Sequence, residues 1–298
     1  MNFLKLKEID LVSSKERVAR SCPCCSSSQI LSSPAVLMPF IADRVFGWKP
    51  VTIDETWGLR TIPYGHAYTL CSSKFCQICK FLFLDIRFDD KEMHRLYSGY
   101  RDENYTQLRE YYEPGYRSRN EILNAEISYS DQVEPFIERF LNRCDSILDW
   151  GGASGFNTPF KSRAKYHYVY DISGQPVVEG VKALSKEDTL RHSYDLIVCS
   201  EVLEHIPFPI EMLKEIKKRM SEDTLLYIEV PFEEIMRADV ETALIKKRHW
   251  HEHINFFSLD SLAFLIHSVG MKVLSIEEKR IIYAGSEVFL IQAMAVVE

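Results

Sequence analysis

The feature that most constrains the fold is a glycine-rich turn that directly follows a short apolar strand. Residues 146–150 read Ser-Ile-Leu-Asp-Trp, and Gly151-Gly152-Ala153-Ser154-Gly155 comes next. A turn of this kind lets a ligand approach the backbone closely, because glycine carries no side chain. Phe156 spoils the G-x-G-x-x-G spacing of a dinucleotide loop, and no Gly-Lys-Ser/Thr of a phosphate-binding loop occurs. The turn therefore favours a nucleoside without requiring a phosphate clamp.

Strands and helices alternate from residue 145 onward. Further strands are predicted at 166–170, 195–199, 225–230, 272–276 and 287–297, and helices at 207–220 and 259–269. This alternation predicts an α/β domain built on a parallel sheet. Asp171 ends the strand at 166–170, where an acidic side chain can accept hydrogen bonds from both ribose hydroxyls of a nucleoside.

Cysteines are concentrated near the N-terminus, where six of the eight precede residue 80. Cys22-x-x-Cys25 and Cys76-x-x-Cys79 form two pairs, and four thiolates complete the tetrahedral shell of a structural Zn²⁺. An iron–sulfur site on Cys71, Cys76 and Cys79 is the alternative, but two tight pairs favour zinc. Three further side chains compete as zinc ligands: Cys24, Cys71 and His66.

Composition shifts divide the chain into three predicted parts. Residues 1–90 are broken by prolines and form a small module that needs a metal to hold it. Residues 91–143 are polar and tyrosine-rich, and we expect a helical connector, with helical spacing over 117–142. Residues 144–298 form the α/β domain.

Histidines cluster in one loop, where three of the nine lie within residues 249–253. This loop follows the strand that ends at Pro231, so we expect it near the carboxyl edge of the sheet, where ligands bind. Histidine titrates near neutrality and suits general base catalysis, so this loop offers candidate bases, one of which Glu252 would orient or tune. His205, just after another strand, is the second candidate.

Charge and hydropathy exclude two classes of partner. The net charge of −7 makes a broad nucleic-acid-binding surface unexpected. The sequence contains no run of eighteen apolar residues, so no transmembrane helix is predicted. The first residues lack the apolar core of a signal peptide, so a cytoplasmic location is expected, in which thiols stay reduced.

Three segments resemble the motifs of class I S-adenosylmethionine (SAM)-dependent methyltransferases. Residues 147–156 resemble the first motif, Tyr170-Asp171 the second, and residues 194–206 the fourth strand and the helix start after it. The resemblance implies a Rossmann-like sheet with helices on both faces and SAM as the cofactor. The expected cofactor-binding residues are Asp149, Gly151, Gly152, Ala153, Gly155, Asp171, Ile172, Ser200 and Glu201.

The cysteine pairs and the histidine loop carry a second resemblance. Residues 22–26 and 76–81 are similar to the N-terminal zinc-binding domain of sugar C-methyltransferases and related polysaccharide-cluster methyltransferases. Residues 250–253 resemble their Tyr-His-Glu-His stretch, whose last histidine, a proposed base, corresponds to His253. This implies a small-molecule acceptor, a sugar nucleotide or surface-glycan precursor.

Two other functions stay open from the sequence. The chain could be a non-catalytic SAM-binding or zinc-dependent interaction protein, or it could methylate a protein or another metabolite. The methylated atom and the oligomeric state are not indicated by any motif.

Overall fold

A computed structural model describes residues 16–54, 56, 65–123 and 127–298. The first residues, on which the expected absence of a signal peptide rests, lie outside this part. The strands are β1 (Ile30–Leu37), β2 (Val51–Ile53), β3 (Gly65–Ala67), β4 (Leu70–Cys76), β5 (Leu82–Leu84), β6 (Ser146–Trp150), β7 (Tyr166–Tyr170), β8 (Val181–Ala183), β9 (Leu196–Ser200), β10 (Leu225–Pro231), β11 (His249–Trp250), β12 (Asn255–Phe256), β13 (Met271–Tyr283) and β14 (Ser286–Val297). The α-helices are α1 (Pro39–Phe46), α2 (Asp90–Tyr97), α3 (Glu103–Tyr112), α4 (Tyr116–Leu123), α5 (Ser130–Glu138), α6 (Pro209–Lys217), α7 (Val240–Lys246) and α8 (Leu259–Ser268).

The larger sheet has seven strands in the order β8-β7-β6-β9-β10-β14-β13. The strands from β8 to β10 pair in parallel, whereas β14 runs antiparallel to both β10 and β13. Strand order reverses beside β6, which lies between β7 and β9. In open α/β sheets, ligands bind at the carboxyl ends of the strands at such a reversal. The glycine-rich turn after β6 is therefore at this position.

Helices cover both faces of this sheet. Successive side chains of a strand point to opposite faces, so neighbouring residues of β6 pack against different helices. Ile147 packs in the cluster that contains Val133 and Phe136 of α5. The next residue, Leu148, packs in the cluster that contains Leu213 of α6 and Leu265 and Ile266 of α8. The predicted α/β fold, a mostly parallel sheet with helices on both faces, is confirmed. No helix in the described part of the chain is long and apolar enough to cross a membrane.

A second, five-stranded sheet has the order β11-β1-β4-β5-β12. Its outer strands come from the histidine loop, since Trp250 pairs with Leu37 and Asn255 pairs with Phe83. The fully buried Arg87 holds this junction: its guanidinium donates to Asn255 Oδ1 at 2.9 Å and to the Pro207 carbonyl at 3.1 Å. Residues 249–256, which belong to the third predicted part, therefore contribute strands to the N-terminal sheet. The three-part division of the chain stays a proposal.

Two predicted elements differ from the structure. The single helix predicted over 117–142 is two helices, α4 and α5, and residues 127–129 between them are not helical. Tyr129 donates its hydroxyl hydrogen to Glu229 Oε1 at 2.6 Å, and this contact to β10 anchors the chain just before α5. The strand predicted at 272–276 is the longer β13, because pairing with β14 continues from Met271 to Tyr283.

Candidate active site

The glycine-rich turn is packed too tightly for side chains at two positions. Gly151 has φ of +87°, and a Cβ there would lie 2.5 Å from Val202 Cγ2. A Cβ on Gly152 would lie 2.2 Å from Asp149 Cγ. The Gly151 amide also donates to the Tyr170 carbonyl at 2.7 Å, which ties the turn to β7. Both glycines are therefore required for the turn to approach its neighbours.

Asp149 lies beneath the turn and is 5% exposed. Thr158 Oγ1 donates to Asp149 Oδ2 at 2.5 Å, and His167 Nε2 lies 2.9 Å from the same hydroxyl. Burial raises the pKa of Asp149 to about 7 and lowers the pKa of His167 to about 4. With a neutral imidazole that donates from Nε2, the chain from His167 through Thr158 to Asp149 supports the turn from within the protein.

Asp171 connects two loops at the end of β7. Its Oδ2 accepts from the Ala153 amide at 2.9 Å, and its Oδ1 accepts from the Ser173 amide at 2.7 Å. Each oxygen keeps a second lone pair, because a carboxylate has about four acceptor positions. The carboxylate can therefore receive further donors from a bound molecule. Ile172 beside it is half exposed.

A cavity of about 520 Å³ opens along this edge of the sheet, within the usual volume range of small-molecule sites. The predicted cofactor residues that line it are Gly151, Ala153, Asp171, Ile172 and Glu201. Those that do not line it are Asp149, Gly152, Gly155 and Ser200. Ser200 instead donates to the buried Glu229 carboxylate at 2.6 Å. Met93, His94 and Tyr97 of α2 also line the cavity, so the predicted connector contributes to its wall.

His205 and His253, the two predicted bases, are brought together by the fold. Their rings lie edge to face with centroids 4.7 Å apart. His205 lines the cavity and ends the short 3₁₀ helix Leu203–His205 that follows β9. Its Nδ1 lies 3.0 Å from the Glu252 carbonyl oxygen and must donate to it, because that oxygen only accepts. Burial lowers the pKa of His205 to about 3, so the ring is neutral.

His253 occupies a more acidic environment. Its Nδ1 donates to Glu233 Oε1 at 3.2 Å. Burial disfavours the imidazolium, but the hydrogen bond to Glu233 and the charges of Glu204 and Glu252 outweigh it, so the pKa of His253 is raised. In both histidines Nδ1 is engaged, which leaves Nε2 as the nitrogen free to react.

Glu252 contacts His205 through its main-chain carbonyl, while its carboxylate contacts two side chains of α3. Arg109 Nη1 donates to Glu252 Oε1 at 3.0 Å, and the Tyr105 hydroxyl donates to Oε2 at 3.2 Å. Burial would raise the pKa of Glu252, but the Arg109 charge outweighs it and the pKa falls to about 2. The ionised carboxylate thus holds the residue whose carbonyl orients His205.

Glu204 is a buried carboxylate that the sequence did not single out. It is 1% exposed, and neither of its side-chain oxygens has a hydrogen-bond partner in the described part of the chain. Its Oε1 lies 3.5 Å from His205 Nε2. Burial raises its pKa to about 7. Proximity to His205 in the chain was the one available sign, because burial of Glu204 depends on contacts from residues distant in sequence.

The four predicted zinc ligands converge at the edge of the N-terminal sheet. The sulfur atoms of Cys22, Cys25, Cys76 and Cys79 all lie within 4.8 Å of one another. The Cys22–Cys79 and Cys25–Cys76 sulfur distances are 3.6 and 3.5 Å. Tetrahedral zinc with bonds of about 2.3 Å places its sulfurs about 3.8 Å apart, so the donor set and its spacing fit zinc.

The competing ligands lie outside this cluster. Cys24 Sγ donates to the Ser261 carbonyl at 2.9 Å, which ties the zinc-binding turn to α8. Cys71 lies near the start of β4, whereas Cys76 is the last residue of that strand. His66 pairs with Thr52 in the small sheet of β2 and β3. The iron–sulfur alternative needs Cys71 beside Cys76 and Cys79, and the described structure does not bring it there.

Three solved structures show partial similarity to the chain. A SAM-dependent methyltransferase from Methanosarcina mazei is 16% identical, with 55% of this chain and 98% of that chain covered and a TM-score of 0.38. The YcgJ protein of Bacillus subtilis is 13% identical, with coverages of 57% and 99% and a TM-score of 0.42. The glycopeptide N-methyltransferase MtfA, complexed with sinefungin, is 9% identical, with coverages of 57% and 86% and a TM-score of 0.42. No curated protein sequence matches the chain.

A family model gives the more direct assignment. The model described as a methyltransferase domain matches residues 123–276, which is more than half of the 298 residues. This span contains the glycine-rich turn, Asp171, His205 and His253. The chain therefore belongs to the methyltransferase domain family and is a class I SAM-dependent methyltransferase.

Proposed function

We propose that this enzyme methylates a small-molecule acceptor, a sugar nucleotide or surface-glycan precursor, at the end of the cavity beside His205 and His253. The observation that carries the proposal is the position of His205, which lines the same cavity as Gly151 and Asp171. A donor held at the turn and an acceptor held beside the histidines would share one enclosed space. The sugar chemistry rests on the resemblance of the cysteine pairs and of residues 250–253 to the sugar C-methyltransferases.

The cavity residues fit SAM. Asp171 keeps free lone pairs for the two ribose hydroxyls, and Gly151 leaves backbone exposed beside the cavity. When bound, SAM supplies an electrophilic methyl group. This chain's residues position the two reactants, and orientation of this kind accounts for much of the rate in such transfers.

A histidine general base completes the proposal. His253 Nε2 would take the proton of the acceptor, while Glu233 on Nδ1 stabilises the resulting imidazolium. His205, held by the Glu252 carbonyl, would orient the acceptor from the cavity side. Structural zinc on Cys22, Cys25, Cys76 and Cys79, the three-part domain division and a cytoplasmic location belong to the same proposal.

The proposal is tested with the purified full chain, SAM and a panel of nucleotide sugars. We expect formation of S-adenosylhomocysteine together with a gain of one methyl group by a panel member in the mass spectrum. A His253→Ala variant run in parallel controls for contaminating methyltransferases. Methylation of an added protein substrate with no reaction across the panel would contradict the acceptor class, and absence of turnover with any acceptor would favour a non-catalytic SAM-binding protein.

A further inference from the structure

We propose that Glu204, His205 and His253 bind a divalent metal ion, a second site separate from the four cysteines. Each side chain offers one ligand atom, and the three atoms lie within 4.8 Å of one another. Glu204 and His205 end the 3₁₀ helix after β9, whereas His253 lies between β11 and β12. The cluster therefore joins the two sheets at the end of the cavity.

The hydrogen bonds of the two histidines leave no donor inside the cluster. His205 Nδ1 donates to the Glu252 carbonyl, and His253 Nδ1 donates to the Glu233 carboxylate. In the neutral form of each ring, Nε2 therefore carries a lone pair that can bind a metal ion. Histidines that bind metals almost always donate their second ring N–H to a carbonyl or carboxylate in this way. Both rings thus have the partners expected of metal ligands.

Glu204 supplies the independent observation. Its side chain is 1% exposed, and among the described residues neither carboxylate oxygen has a hydrogen-bond donor. Burying an unpaired polar group costs free energy, and an unpaired charge costs more. A cation placed among Glu204, His205 Nε2 and His253 removes that cost, because three acceptors then share one positive centre.

The spacing suits coordination. His205 Nε2 and Glu204 Oε1 are 3.5 Å apart. Two ligands at bond lengths of about 2.1 Å and at right to tetrahedral angles are separated by about 3.0–3.4 Å, so a small side-chain adjustment suffices. Two imidazoles and one carboxylate form a donor set that suits Fe²⁺, Mn²⁺ or Zn²⁺ and leaves coordination positions open.

The open positions would accept an oxygen of the methyl acceptor, since His205 lines the cavity. The inference rests on the proposed function and revises one step of it. In the metal-bound enzyme His253 is a ligand, and the acceptor hydroxyl loses its proton to solvent because coordination lowers its pKa. Without the metal, His253 is the direct base.

Manganese tests the site on the full-length chain, because Mn²⁺ prefers nitrogen and oxygen ligands and leaves zinc on the cysteines. The protein is stripped of weakly held metal, its zinc content is confirmed as one equivalent, and Mn²⁺ is titrated with electron paramagnetic resonance as the readout. We expect one bound Mn²⁺ per chain. Glu204→Gln and His253→Gln should each weaken this binding at least tenfold.

His249→Gln is the matched control, because His249 is an exposed histidine four residues from His253 and lies outside the cluster. It should bind Mn²⁺ as the unaltered chain does. Glu204 has no hydrogen bond to lose, so Glu204→Gln should fold, and His253→Gln provides a second variant. Absence of a bound Mn²⁺, or equal binding by Glu204→Gln and the unaltered chain, overturns the inference.

A separate titration with S-adenosylhomocysteine distinguishes this failure from failure of the proposed function. Cofactor binding with no Mn²⁺ binding rejects the metal site and leaves His253 as the base. Mn²⁺ binding with no cofactor binding rejects the proposed function while the metal site stands.

Discussion

The rings of His205 and His253 meet edge to face at 4.7 Å, although the two residues are connected to strands of different sheets. His205 follows β9 of the seven-stranded sheet, and His253 lies between β11 and β12 of the five-stranded sheet. The pair therefore exists only when both sheets have formed and docked. Arg87, buried between Asn255 and the Pro207 carbonyl, holds the two sheets at this point.

Removing the imidazole of His253 should lower turnover and leave cofactor affinity unchanged. For His253→Ala we expect kcat to fall roughly 10²- to 10⁴-fold, the usual contribution of a general base or of an equivalent activating group. S-adenosylhomocysteine affinity, measured by calorimetry, should stay the same, because the proposed cofactor contacts come from the glycine-rich turn and Asp171 rather than from His253. His249→Ala serves as the control, and full turnover by His253→Ala excludes this histidine from the reaction.

Asp171→Ala should weaken SAM binding. Hydrogen bonds to a charged group contribute about 1.5–3 kcal/mol, so we expect affinity to fall roughly ten- to a hundredfold. The variant also loses the bonds from the Ala153 and Ser173 amides, so circular dichroism should accompany calorimetry. Asp188→Ala removes a carboxylate that pairs with the exposed Arg191 and serves as the control. Unchanged affinity of Asp171→Ala would falsify the assignment of the cofactor pocket.

Cys76→Ser should release zinc, whereas Cys24→Ser should retain it. Both cysteines are fully buried, but only Cys76 belongs to the four-sulfur cluster. Structural zinc contributes directly to folding, so we expect Cys76→Ser to lose at least about 2 kcal/mol of unfolding free energy. A serine at position 24 can still donate to the Ser261 carbonyl. Metal analysis and urea denaturation provide the readouts, and zinc loss from both variants would contradict the ligand assignment.

Asp149 should make the chain less stable as pH rises. Burial raises its folded pKa to about 7, above the ordinary value of 3.8, so the folded state binds the extra proton between these pH values. Its contribution is fully present below about pH 4 and is lost as pH rises through 7, by up to about 4 kcal/mol. Asp149→Asn, measured by urea denaturation without cofactor, should therefore gain stability over the unaltered chain at pH 8 but not at pH 4.

Asp195 provides a comparison of opposite sign. Its pKa is lowered: partial burial opposes ionisation, but hydrogen bonds from Arg143 and from the Ser146 and Asp145 amides outweigh it. Its contribution is therefore present at neutral pH and is lost on acidification. Asp195→Asn should destabilise the chain at pH 8. Equal pH profiles for the unaltered chain and Asp149→Asn would refute the buried, protonated carboxyl at position 149.

The sequence alone was sufficient for elements whose determinants are local. Short apolar runs in β6, β7, β9 and β10 indicate strands, and the spacing of two Cys-x-x-Cys pairs indicates two turns that each present two thiols. Left-handed backbone at Ser26 and Lys80, with φ of 61° and 59°, closes those turns. The position of Asp171 was predictable because this residue directly follows the strand predicted at 166–170.

Elements that depend on partners distant in the chain were decided only by tertiary structure. Strands β11 and β12 contain two residues each, too few for a periodic pattern, and they exist because β1 and β5 offer unpaired edges. The ionisation of Glu252 is decided in the same way, because Arg109, from another part of the chain, donates to its carboxylate and lowers its pKa to about 2. The burial of Glu204 is also decided by tertiary structure, because burial is a property of the whole packed chain rather than of neighbouring residues.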